Sequence, residues 1–127
     1  MRNSHNSRSL RRLITFCIAF GALATVPLLS RAQPSTSVNI VNNSSRTISH
    51  VYLSHVNTDD WTGNQLGDAT IAPGQSFTLS NVACDQQQVR VIAEDQDGCF
   101  LSTVVTCGDS ATWTITNNAA RDCGGGN

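Results

Sequence analysis

Apolar residues in this chain recur in short alternating runs rather than at helical spacing. Val38-Asn-Ile-Val41 is the first run, ended by the turn-forming Asn42-Asn-Ser-Ser45. Thr47-Ile-Ser-His-Val-Tyr-Leu-Ser54 follows, β-branched and aromatic, close enough in sequence to pair with the first as a hairpin. Ser76-Phe-Thr-Leu-Ser80 sets Phe77 and Leu79 on one side and three hydroxyls on the other. Val89–Glu94 and Phe100–Thr106 flank the tight acidic turn Asp95-Gln-Asp-Gly98, the pattern of a β-hairpin. In Ala111–Thr116, Ala111, Trp113 and Ile115 alternate with threonines, which fits one buried and one wet face. No segment carries an amphipathic helical stripe. About six to seven short strands parted by Gly, Pro and Asn turns predict an all-β fold, a small antiparallel β-sandwich.

Between the second and third runs lies a polar stretch, His55–Thr70, with neither period. A loop of that length inside a compact domain is functional or disordered. Trp61 and Leu66 argue that part of it packs down, and Ile71-Ala-Pro-Gly-Gln after it is a type II turn signature.

The start of the chain is of another kind. Arg2, Arg8, Arg11 and Arg12 precede an apolar run, Leu13–Ser30, and Ser30-Arg31-Ala32 offers small residues at a cleavage position. That order predicts a signal peptide over 1–32, exported by the Sec or the twin-arginine route. It leaves a linker over 33–37, a domain over 38–123 and a flexible tail over 124–127. Cleavage changes the electrostatics: Arg46, Arg90 and Arg121 remain against nine acids, a formal charge of −6. With no basic patch, nucleic acid is excluded as a partner and anionic membrane surfaces are disfavoured. The expected location is the periplasm or the medium, and the lack of lysine beside eight arginines points to a bacterial source. Asn42 and Asn43 head glycosylation patterns that matter only in a eukaryotic secretory route.

Cys84, Cys99, Cys107 and Cys123 stay in the mature chain, an even count suited to an oxidising compartment. Their spacings lack the close pairs of a zinc site. Of the three possible pairings, hairpin register favours two bonds. A turn near Asp95–Asp97 sets Cys84 opposite Cys107, and a second near Asp109 sets Cys99 opposite the region of Cys123.

Candidate chemistry is sparse. His50 and His55, five apart, do not share a face, and no nucleophile motif accompanies them, so a small secreted hydrolase is without support. Glu94, Asp95 and Asp97 fall at a hairpin tip, where carboxylates are expected to be solvated. Asp95-x-Asp97-Gly98 is a fragment of a calcium-loop pattern and reads as a plain turn. A second acidic set, Asp59, Asp60, Asn64 and Asp68, would suit calcium as an alternative. Trp61 either presents an aromatic platform to a saccharide or protein partner or folds over the open end of the sandwich. The leading expectation is a non-enzymatic binding module without cofactor, using Trp61, Asp59, Asp60, Asn64 and Asp68.

Asn43-Ser-Ser-Arg-Thr-Ile, Val51-Tyr-Leu-Ser, Trp61 with Gln65-Leu-Gly, Pro73-Gly-Gln-Ser-Phe, Val89-Arg-Val and Thr112-Trp-Thr-Ile-Thr-Asn together carry a likeness. In these pieces the chain resembles a group of small exported bacterial β-rich domains of unknown function. The resemblance implies a secreted β-rich domain and brings no catalytic residues.

Overall fold

A computed structural model describes residues 34–84 and 86–125, together with Pro27 and Leu28. The leader expected over 1–32 otherwise lies outside the described residues, as do Gln33 and the end of the tail. Six strands form two three-stranded sheets: β1 Ser35–Asn43, β2 Ile48–Ser54, β3 Ser76–Ala83, β4 Gln88–Asp95, β5 Phe100–Thr106 and β6 Ala111–Thr116. One sheet has the order β3-β1-β6 and the other β2-β4-β5. Val38, Ile40, Leu79, Val82 and Ile115 from the first sheet share one core with Ile48, Val51, Val91, Ala93, Leu101 and Val105 from the second. The fold is the expected β-sandwich.

Three expectations about its wiring are corrected. β1 begins at Ser35, inside the segment read as a linker, because Thr36 is buried, pairs with Val82 and donates its hydroxyl to the Asp109 carbonyl. β1 and β2 are not a hairpin but lie in different sheets. The cause is Asn42, which points inward in phase with Val38 and Ile40 and is fully buried. Its Nδ2 donates to the carbonyls of Arg46 (2.7 Å) and Ile71 (2.8 Å), and its Oδ1 accepts from the Ser44 amide and hydroxyl. A satisfied buried amide of this kind folds the chain into an arch between layers rather than a turn within one. Finally, β6 runs parallel to β1, so the first sheet is mixed rather than antiparallel.

In β3 the register slips between the Thr36 and Val38 pairings, and Asn81 takes a positive φ of 56°. This bulge resets the alternation so that Val82 and then Cys84 turn inward after Leu79. The β4–β5 hairpin stands as read, with Gly98 at a φ of 76° closing its turn.

Both expected disulfides are present, Cys84–Cys107 and Cys99–Cys123. The first clasps the open end of the hairpin. The second forms for a reason other than the one anticipated: β5 and β6 lie in different sheets, and Cys99 meets Cys123 because Phe100 and Asp122 form an isolated antiparallel bridge. Each bond spans 23 or 24 residues, which in the chain-entropy picture contributes roughly 3 kcal/mol.

Asp95 is also corrected. It is not a solvated tip residue: its side chain is fully buried, and its Oδ2 lies 2.9 Å from Arg121 Nη1 and 3.3 Å from Arg46 Nε. Its Oδ1 accepts the amides of Asp97 (2.9 Å) and Cys99 (3.1 Å). Burial by itself would raise this carboxyl's pKa. The Arg121 hydrogen bond, the two backbone N–H groups and the Arg121 charge outweigh it and hold the pKa below the usual carboxylate value. A carboxyl whose folded pKa is depressed gives full stability above its unfolded pKa, about 3.9, and loses it as pH falls through the folded value. We therefore expect Asp95→Asn to cost roughly 3 kcal/mol at pH 7. Urea unfolding from pH 7 to pH 2 should show the wild type losing this margin in acid while the variant changes little. Parallel pH curves for the two proteins would contradict the assignment.

Candidate functional site

The outer face of the β2-β4-β5 sheet is the chemically richest surface of the domain. Register places Glu94 between His50 and Phe100, Ile92 between Tyr52 and Ser102, and Arg90 beside Val104. Strand alternation turns these side chains away from the core, yet Ile92 is only 2% exposed. An apolar residue buried on the solvent side of a sheet needs a cover, and Trp61 is on that side. Its indole sits 5.5 Å from the Tyr52 ring and makes an edge contact with Phe100 at 5.2 Å and 74°. His50 stacks beside Tyr52 with centroids 6.1 Å apart. Trp61 thus lies over a sheet face rather than over the open end of the sandwich, and 38% of it stays exposed.

The segment that carries Trp61 is ordered by the edge of β2. Thr62 donates its amide to the Leu53 carbonyl (2.8 Å) and accepts the Leu53 amide on Oγ1 (3.0 Å). Gln65 donates to the Val51 carbonyl (2.7 Å), and Ile71 exchanges both backbone bonds with Ile48. Leu66 enters the core. The polar stretch therefore works as a cover for an edge strand, satisfying donors and acceptors that would otherwise invite another chain.

Of the five residues expected to bind, Asp59 and Asp60 line hollows with Trp61, while Asn64 and Asp68 are set apart. Asn64 spends its Oδ1 on the amides of Val51 (3.0 Å) and Leu66 (3.1 Å) and its Nδ2 on the Gly67 carbonyl, a structural role. Asp59 lies beside Arg90 at 3.3 Å, while Arg90 also donates to the Val56 carbonyl. Asp60 borders a hollow with Trp61, and Asp68 is exposed on a separate turn. Among the described residues no three His, Cys, Asp or Glu side chains stand close enough to hold a metal ion.

Two hollows share Trp61 as a wall. The smaller, about 240 Å³, lies on the sheet face between Trp61, Phe100 and Ile92, with Asp59, Arg90, Ser102 and Asp122 around it. The larger, about 370 Å³, is lined by Leu53, His55, Asp60, Ala83 and Gln88. No protein-family model matches the chain, and no curated protein matches it. Among solved structures it is similar to one titled the NMR structure of the protein from Eubacterium rectale. That likeness has a TM-score of 0.44 and 13% sequence identity, over 70% of this chain and 85% of that one.

Sequence reasoning missed Arg90, Phe100, Ser102 and Asp122. The available signal was the period-two placement of Arg90, Ile92 and Glu94 on one face, which sets an isoleucine on the polar side of β4.

At the far side of the face, Tyr52 donates its hydroxyl to Glu94 Oε2 at 2.9 Å, and His50 Nδ1 lies 3.1 Å from the same oxygen. Burial, then the hydrogen bond to Glu94, then the charge of Glu94 raise the phenol's pKa above its ordinary value. The chain has one tyrosine, so an ultraviolet absorbance titration reads this group alone. Glu94→Gln should move the midpoint down toward, but not below, the ordinary phenol value of about 10, because burial persists. An unmoved midpoint would break the Tyr52–Glu94 link. Asn64→Ala should speed amide hydrogen exchange at Val51 and Leu66 and cost about 1–2 kcal/mol. Unchanged protection at both amides would remove its role as an edge cap.

Proposed function

We propose that the protein is exported to the periplasm or the medium and acts there as a non-enzymatic binding module, receiving its partner on the Trp61 side of the β2-β4-β5 sheet. The disulfides support an oxidising compartment, and the basic and apolar order of the first 32 residues supports export. Among the described residues no helix is long and apolar enough to cross a membrane.

The observation that carries the reading is the state of Trp61. It is in ring contact with Tyr52 and Phe100, keeps 38% of its surface exposed, and lines two hollows. A rigid, half-exposed aromatic beside concave surface is the kind of group that anchors a partner at small entropic cost.

Immobilised mature protein should retain a partner from the extracellular or periplasmic fraction of its source. Trp61→Ala should weaken that retention by about 2 kcal/mol or more, with the thermal midpoint checked alongside. Equal retention by a folded Trp61→Ala variant would defeat the proposal.

A further inference from the structure

The charges around the smaller hollow narrow the class of ligand, and we propose that it is a neutral carbohydrate of more than one ring, an inference that rests on the binding-module reading above. The hollow combines aromatic walls, Trp61 and Phe100, with Arg90, Asp59, Asp122 and the Ser102 hydroxyl. Two carboxylates against one guanidinium repel an anionic ligand, and a cationic one must compete with Arg90, already paired with Asp59 at 3.3 Å. A purely apolar ligand would strip water from all three charged groups and return no hydrogen bonds. A sugar ring answers every part of the lining. Its C–H face suits an indole, while its hydroxyls donate to Asp59 and Asp122 and accept from Arg90 without adding charge.

These groups are also held in place before any ligand arrives. Arg90 sits on the central strand of its sheet and is held by the Val56 carbonyl, with the exposed Asp59 carboxylate 3.3 Å away. Asp122 is tied through its backbone to Phe100, through its Oδ1 to the Gly124 amide at 3.0 Å, and through its neighbour Cys123 to Cys99. Pre-set donors and acceptors lower the ordering cost of binding, which matters for a flexible, well-hydrated ligand.

Size sets the length. At about 240 Å³ the smaller hollow falls below the ~300–1,000 Å³ of pockets that enclose a whole drug-sized ligand, and it suits a single ring. Trp61 also lines the larger hollow. A chain seated in the first hollow therefore crosses Trp61 into the second.

The test uses the mature protein with Trp113→Phe, so that Trp61 alone fluoresces, titrated with uncharged hexose and N-acetylhexosamine oligomers of increasing length. At least one series should change the Trp61 emission and bind more tightly as the chain grows. Ser102→Trp, which fills the smaller hollow from an exposed β5 position, should weaken binding about tenfold or more. Ala83→Trp, which fills the larger, should abolish the gain with length and leave the single sugar bound. Tighter binding of uronate or amino-sugar oligomers than of their neutral counterparts would overturn the inference, as would undiminished binding to a folded Ser102→Trp protein. If no neutral oligomer binds while Trp61→Ala still loses the partner captured above, the carbohydrate assignment falls and the binding module stands. If Trp61→Ala keeps that partner, both fall.

Discussion

One buried carboxylate holds together an end of the sandwich that the strands alone would leave open. Asp95 terminates β4, Arg46 comes from the arch between β1 and β2, and Arg121 comes from the segment after β6. Three stretches distant in sequence therefore converge on a single group. The Thr47 and Gln96 contacts, the Phe100–Asp122 bridge and the Cys99–Cys123 bond surround it. A buried ion cluster is weak as a source of net stability, since desolvation offsets most of its attraction. Its value here is positional: an arch or a tail placed differently would leave a charge buried and unpaired.

That fixed end is also what places part of the candidate site. Asp122 and Phe100 reach the outer face of the second sheet because the closing segment is bridged to the start of β5. Trp61 arrives from the opposite side, on a segment hydrogen-bonded along β2. The site is thus assembled from β2 and β5, the segment carrying Trp61 and the tail that brings Asp122, with that segment and the tail anchored by backbone bonds rather than by the aromatic contacts themselves. Rings positioned this way need not move to meet a ligand.

The sequence made the strands legible wherever alternation was clean, as in Ala111–Thr116 and Ser76–Ser80, and made the β4–β5 hairpin legible through its Asp and Gly turn. It misled where one side chain overrode local pattern. Asn42-Asn-Ser-Ser45 has the composition of a tight turn, but the inward Asn42 finds four partners only if the chain crosses between layers. Asp95 looked like a solvated tip because its two arginine partners lie far away in sequence, one of them 26 residues on. For the site, Trp61 and Asp59 were visible as candidates, whereas Arg90, Phe100 and Asp122 became neighbours of Trp61 only through strand register and the closing bridge. The oxygen that makes Asn64 a candidate in the sequence is consumed by two backbone amides.

The place of β1 has a consequence for how the chain acquires its shape. The first strand lies in the middle of its sheet, between β3 and the parallel β6. Of the six strands, only β4 and β5 pair with a sequence neighbour, so most pairings must close long loops before they gain anything. The final strand to emerge from the ribosome is the one that completes the earliest. Until Ala111–Thr116 is delivered, β1 keeps an open flank and its sheet stays unlocked.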